Sequence, residues 1–368
     1  MEYQLVKNKR IAVIANFDVG LYKFRKALLE QLIKDGNEVY ILLPNGEFVD
    51  RLVEMGCRFI ETPIERRGMN PLKDISLYRL YKKILKEIRP DLVITYTVKP
   101  NVYGGFACRM LKIPYAANIT GLGSAIEGGG VLRKLVLTMY RTALKKARIV
   151  FFENEGNRQT IVDSGTVRAE QTYVLHGAGI DTDEYEVSDY PDDGATKFLY
   201  VGRIMKEKGV DELFSSMERL KEGFGEKVEL HVVGMFEEAY ERKITELQGQ
   251  GILQFHGFQE NIKPFYSASH CIVLPSWHEG MSNVLLEAGS MGRPLITSNI
   301  HGCLEAVVDG ETGMLFKVRD ADSLYEKMRQ FVEMTYESKK KMALASREHI
   351  CNYFDKRQVV SDTITHLQ

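Results

Sequence analysis

Short runs of β-branched and aromatic residues alternate along this chain with longer stretches whose apolar positions recur every three or four residues. Residues 11–15, 39–43, 92–96 and 115–119 read as strands, and 24–34 and 77–88 between them read as helices. Such alternation predicts βα units on a parallel sheet, which 149–152 and 172–175 would extend. A polar, Asp-rich stretch over 181–194 then breaks the pattern, with Tyr190-Pro-Asp-Asp-Gly-Ala195 as a turn-rich linker. Strand-like runs resume at 198–201, 229–233, 253–256, 272–274 and 295–297. The pattern therefore predicts an α/β chain of two doubly wound domains, residues 1–185 and 186–350, and a final helix over 351–368 packing back toward the first. Open α/β sheets bind ligands beyond the carboxyl ends of their strands, so a cleft between two such sheets is the expected place for chemistry.

Composition changes that picture little. Hydrophobic residues make 44% of the 368 and charged residues 27%, enough apolar material for two cores and too much for a disordered chain. Formal net charge is -1, so no global basic field exists to hold nucleic acid, and any anion must be met by a local set of donors. Five scattered cysteines without a Cys-x-x-Cys pair fit buried thiols in a reducing compartment, and the cytoplasm is the expected location. The apolar run after the polar first ten residues is too short for a secretory leader. No run approaches the ~18 apolar residues of a membrane span, so membrane contact is expected to be peripheral.

Two segments carry candidate chemistry. In Leu274-Pro-Ser-Trp-His-Glu-Gly-Met-Ser-Asn-Val-Leu-Leu-Glu287 a strand end leads through a loop into a helix, with Ser282 as its N-cap and Asn283 opening it. The unpaired N–H groups and positive dipole end of such a helix suit a diphosphate. Gly280 lets backbone approach a ligand, and Glu287, four residues after Asn283, lies on the same helical face, where a carboxylate can accept from two vicinal hydroxyls. Taken alone, the pair Glu279 and Glu287 reads more readily as solvated surface, exposed glutamate being common. The second segment, Val201-Gly-Arg-Ile-Met-Lys-Glu-Lys-Gly209, again joins a strand to a helix. Its Arg203 offers a planar fork and its Lys208 a point charge, the two side chains that bind diphosphate oxygens.

Together these segments resemble the retaining GT-B glycosyltransferases of family 4. The second domain of those enzymes carries a Gly-Arg … Glu-Lys-Gly loop and two glutamates separated by seven residues. The resemblance covers nearly the whole chain, including Leu175-His-Gly-Ala-Gly-Ile-Asp181 and Gly302-Cys-Leu-Glu-Ala-Val-Val-Asp-Gly-Glu-Thr-Gly-Met-Leu315. It implies two Rossmann-like domains facing across a cleft, with Arg203 and Lys208 on the donor diphosphate and Glu287 on the ribose. Glu279, with Gly280, Met281, Ser282 and Asn283, would address the donor sugar, and Phe258 and Gln259 stand where the family places its nucleobase. Gly20 would belong to a glycine loop near the donor phosphates, with Arg25, Lys99, Asn118 and Thr120 as acceptor contacts.

The segments 95–105 and 119–130 are similar to the subgroup that builds capsule, exopolysaccharide and lipid-linked oligosaccharide, including the N-acetylgalactosaminyltransferases of bacterial N-glycan assembly. The resemblance thus implies transfer of a hexose or N-acetylhexosamine, with retention, from a nucleoside diphosphate sugar, UDP-linked by preference. The acceptor would be a growing or polyprenyl-diphosphate-linked glycan. No metal or other cofactor is expected, since the cations would neutralise the leaving diphosphate.

One departure stands out: no histidine precedes His176, although many family members have one beside the donor sugar. An inverting enzyme would need a base near the acceptor, and only carboxylates such as Asp18 or Glu127 could serve. Two other readings fit the same architecture, a nucleotide-sugar 2-epimerase and a non-catalytic sugar-nucleotide binder. Finally, 131–148 reads as an amphipathic helix whose Lys134, Arg141 and Lys145 could rest on the anionic inner face of the cell membrane, or could be solvated cations on a core-packed helix.

Overall fold

The computed structural model describes residues 7–64, 70–122, 126, 130–192 and 194–367. The chain forms two compact units, one of residues 1–179 with 356–368 and one of residues 180–355. Residues 180–185, which composition placed in the first domain, and 351–355, which it placed in the terminal helix, therefore belong to the second unit.

The first unit is built on seven parallel strands: β1 (Arg10–Ile14), β2 (Glu38–Leu43), β3 (Arg58–Glu61), β4 (Leu92–Tyr96), β5 (Tyr115–Ile119), β6 (Ile149–Phe152) and β7 (Thr172–Val174). Their order is β3-β2-β1-β4-β5-β6-β7, so Ala12 of β1 stands opposite Tyr40 on one side and Val93 on the other. Strands β4, β5 and β6 are buried along their whole length. Helices cover both faces of such a sheet, which is why these strands read as continuous apolar runs rather than alternating ones. The closing helix Lys356–Leu367 buries Val359, Ile364 and Leu367 in the same cluster as Leu28 and Leu32 of helix Asp18–Lys34.

The second unit has six parallel strands: β8 (Thr196–Val201), β9 (Val228–Val233), β10 (Gln254–Phe255), β11 (Cys271–Leu274), β12 (Leu295–Ser298) and β13 (Gly313–Phe316). Their order is β10-β9-β8-β11-β12-β13 around a core that includes Phe198, Tyr200, Phe214, Met217 and Phe331. In both sheets the winding reverses once, between β1 and β4 and between β8 and β11. The loops leaving those four strands therefore flank a switch point, where open α/β sheets hold their ligands.

Five elements differ from the pattern reading. Strands β3 and β13 escaped it, one a half-exposed edge strand and the other opening on a glycine. The helices begin earlier than their apolar periodicity, at Asp18 rather than 24 and at Pro71 rather than 77. The second is started by Asn70, whose side chain accepts from the Leu72 and Lys73 N–H groups at 3.2 and 3.3 Å, and by Pro71 at its first position. The basic helix runs Gly130–Leu144, so Lys145 lies beyond its end.

Candidate active site

The two loops at the switch point of the second unit are fastened to each other. Gly209 closes the turn Lys206–Lys208 with φ +70°, and a Cβ there would lie 2.0 Å from the Pro275 carbonyl oxygen. Only glycine allows that approach. From the other loop, Trp277 donates its backbone N–H to the Glu207 carbonyl at 2.9 Å and its indole N–H to Glu212 Oε1 at 3.0 Å. The Arg319 guanidinium lies over the Trp277 ring, 4.4 Å from its centroid.

This bracing brings Lys208 Nζ to 2.5 Å from Glu279 Oε1, which also accepts from Ser276 Oγ at 2.7 Å. Both partners are largely sequestered, with side chains 18% and 15% exposed. Arg203 is exposed, its Nη1 3.6 Å from Glu237 Oε2. Gly302, at φ +91°, backs the second loop. Its carbonyl accepts from the Ser282 N–H at 2.9 Å, and a Cβ on it would meet the Gly280 carbonyl at 2.6 Å.

Beyond Gly280, Met281 and Ser282 are buried and helix Asn283–Ser290 begins. The Ser282 hydroxyl accepts from the Leu285 N–H at 3.5 Å and its carbonyl from Leu286 at 3.3 Å. Helix geometry leaves the N–H groups of Asn283 and Val284 without an intrahelical acceptor, so a positive end follows four residues after Glu279, the partner of Lys208. One turn on, Glu287 Oε2 accepts from the buried Tyr266 hydroxyl at 2.8 Å. Phe258 is 59% exposed at the carboxyl end of the edge strand β10, whereas the Gln259 amide is turned back on the chain, donating to the His256 carbonyl at 2.7 Å.

In the first unit several expected acceptor contacts are already engaged. Gly20 lies in the first turn of helix Asp18–Lys34 rather than on a free loop, and a Cβ there would sit 2.5 Å from the Phe17 ring. Asp18 is buried and accepts from the Phe48 N–H at 2.7 Å, so it is a loop fastener and not an available base. Glu127, the other candidate, lies outside the described residues. Arg25 is ion-paired with Glu153 and stacked over Tyr96 at 5.0 Å. Burial pushes the Glu153 carboxyl up, and the Arg25 guanidinium opposes that rise.

Lys99 is paired with Asp74 at 3.0 Å, Asn118 is buried and donates to the Thr95 carbonyl at 3.2 Å, and Thr120 follows β5, half-buried. Beside the Lys99–Asp74 pair an apolar cavity of about 290 Å³ is lined by Asp74, Ile75, Tyr78, Tyr103, Phe106 and Met110. Of the three cations on helix Gly130–Leu144 and its end, Lys134 and Lys145 are exposed, while Arg141 donates to the Ser164 carbonyl at 2.6 Å. His270, its neighbour Cys271 and His278 do not come together as a metal site: His270 is buried and accepts from the Lys197 N–H at 3.1 Å, and His278 faces Glu207 at 3.2 Å.

The sequence reading brought Arg203, Lys208, Glu279, Glu287 and the helix start to one end of one sheet, but missed the side chains that hold them. Ser276, Arg319 and Tyr266 carry no motif of their own. Only the lone tryptophan, between the strand and Glu279, hinted at the bracing.

Residues 181–349 match the family described as glycosyl transferases group 1, and residues 10–154 match the family described as glycosyl transferase 4-like. The chain is built of two glycosyltransferase domains. An N,N'-diacetylbacillosaminyl-diphospho-undecaprenol alpha-1,3-N-acetylgalactosaminyltransferase of Campylobacter jejuni is 26% identical over 88% of this chain and 89% of its own length. The capsular polysaccharide biosynthesis glycosyltransferase CapM of Staphylococcus aureus is 28% identical over 89% of this chain and 88% of its own. A UDP-Gal:alpha-D-GlcNAc-diphosphoundecaprenol alpha-1,3-galactosyltransferase of Escherichia coli is 28% identical over 77% of this chain and 79% of its own. Among solved structures, Anabaena HepE in complex with UDP superposes with a TM-score of 0.79 at 17% identity, over 96% of this chain and 98% of that one. That likeness concerns the fold alone. As a glycosyltransferase, the chain has its phosphate-suited groups where the fold places a ligand, at the switch point of its group 1 domain.

Proposed function

We propose that this glycosyltransferase moves a hexose or N-acetylhexosamine, with retention, from a UDP-linked donor to a polyprenyl-diphosphate-linked or growing surface glycan. The observation that carries the reading is the Lys208–Glu279 pair held beside the open end of helix Asn283–Ser290. A diphosphate at that helix end would meet two backbone N–H groups and Lys208, with Arg203 free to swing from its long, exposed contact with Glu237. Lys208 and the helix dipole stabilise the charge that develops as the sugar–phosphate bond breaks. The acceptor hydroxyl attacks from the same face, and its proton passes to a departing diphosphate oxygen. Glu279, held by Lys208 and Ser276, accepts from donor-sugar hydroxyls. No metal has a part in these steps.

The donor and acceptor classes rest on the names of relatives: two act on diphospho-undecaprenol glycans, one of them with UDP-Gal. The apolar cavity beside Lys99 adds a place for prenyl chain near the carboxyl edge of the first sheet. A nucleotide-sugar 2-epimerase is not favoured, since the relatives named above are transferases. A donor screen with purified protein, read by nucleotide release and product mass, tests the assignment. Lys208→Ala is expected to lower transfer by about 10²–10³-fold in the molecules that remain folded. Near-normal turnover would remove Lys208 from the reaction.

A further inference from the structure

The Glu287 carboxylate is met by two phenols that no motif marks. Tyr266, fully buried in helix Lys263–Ala268, donates to Oε2 at 2.8 Å. The Tyr185 phenol lies close to the same carboxylate, which adds to burial in raising it, and comes from the stretch that composition read as an interdomain linker. Both are anchored through their own backbone. The Tyr266 carbonyl accepts from Arg293 Nε at 2.8 Å, and Arg293 is itself fully buried, donating also to the Asp189 carbonyl at 2.7 Å. The Tyr185 carbonyl accepts from Ser290 Oγ and Arg347 Nη1, each at 2.8 Å.

Burial, reinforced by the adjacent carboxylate, raises both phenols, so they act only as donors. A phenol donor on the carboxylate, with a second phenol close by, fixes its rotamer.

We propose that Tyr266 and Tyr185 are positioning residues that aim Glu287 at the two vicinal hydroxyls of the nucleotide ribose, making the choice of ribonucleotide over deoxyribonucleotide a property of these three side chains. The proposal rests on the reading above that Glu287 faces the ribose. Without the phenols the carboxylate would still be present but free to turn, and a bidentate contact would become an average over rotamers.

The experiment is calorimetric titration of the full chain with UDP and GDP and with their 2′-deoxy forms. The wild-type chain is expected to prefer the ribo form of one nucleotide at least about tenfold, and Glu287→Gln to abolish that preference. Tyr266→Phe and Tyr185→Phe, which keep the rings and their packing, are each expected to cut the preference about three- to tenfold. They should leave affinity for the deoxy form unchanged. If neither nucleotide binds, or Glu287→Gln keeps the preference, the ribose reading itself falls. If Glu287→Gln removes the preference but both phenylalanine variants retain it, the positioning role alone is overturned. Equal weakening of both forms by the phenylalanine variants also overturns it, because that marks simple packing. The two tyrosines are tested separately, so misfolding of one variant leaves the other to decide.

Discussion

Arg25 shows how a cation that reads as a substrate contact becomes a structural group. Its partner Glu153 stands 128 positions away, and both side chains are nearly enclosed, 11% and 12% exposed. Breaking such a pair leaves a buried charge without compensation, so Arg25→Ala is expected to cost about 3–5 kcal/mol in denaturant unfolding. The pH dependence has a definite sign. With the guanidinium gone, nothing opposes the burial that raises Glu153, and the folded state then holds a proton that the unfolded state releases. The deficit should grow as pH rises through and above the ordinary glutamate range and shrink below it. A variant as stable as the wild type at pH 8 would show that the pair contributes nothing. The same sequestration explains why acceptor recognition was not legible residue by residue: Arg25, Lys99 and Asn118 have the right chemistry, and each is committed to a partner that spacing along the chain does not reveal.

At the scale of elements, the site depends on how closely two loops approach, and Gly209 is where that approach is tightest. Gly209→Ala would put a methyl group against the Pro275 carbonyl on a backbone at φ +70°. It is expected to cost about 1–3 kcal/mol. It should also lower transfer at least tenfold in molecules that remain folded, because Lys208 precedes it and moves with it. Gly223, inside helix Val210–Phe224 with open space around it, is the control. There alanine should be neutral or stabilising by up to about 1 kcal/mol. Equal thermal midpoints and equal turnover for the two variants would rule out a special role for the close approach.

Elements were readable in proportion to their burial. Strands β4, β5 and β6, enclosed throughout, were bounded to the residue, whereas β3 has no fully buried position and no run to find. Helix starts were missed because their first turns carry polar or exposed residues that break the apolar stripe, Leu72 and Ile75 among them. The site followed the same logic. Residue types at strand ends announced a phosphate-suited loop pair, but the Lys208–Glu279 contact spans 71 positions and Tyr266–Glu287 spans 21 between different elements, so packing alone creates them.

For the whole molecule, the decisive asymmetry is one of charge. Net charge is -1, yet between Asn70 and Arg148 fifteen lysines and arginines face four carboxylates. That segment holds helices Pro71–Ile88, Gly105–Leu111 and Gly130–Leu144, and with them Leu72, Met110 and Val131, exposed by 79%, 63% and 85%. Among the described residues no helix is long and apolar enough to cross a membrane, and basic residues mixed with exposed apolar ones suit contact with an anionic bilayer surface instead. The expected outcome is binding to vesicles containing phosphatidylglycerol, little binding to zwitterionic ones, and loss of binding as salt rises. A lysine near such a surface is worth about 1 kcal/mol, so Lys134→Ala with Lys145→Ala should weaken partitioning roughly thirtyfold. Arg141 is held on the Ser164 carbonyl, and Arg141→Ala should weaken partitioning less than either lysine change. Cosedimentation decides: equal binding to both vesicle types, or an unaltered double variant, would mean that this charge serves solubility or the acceptor's diphosphate and not the membrane.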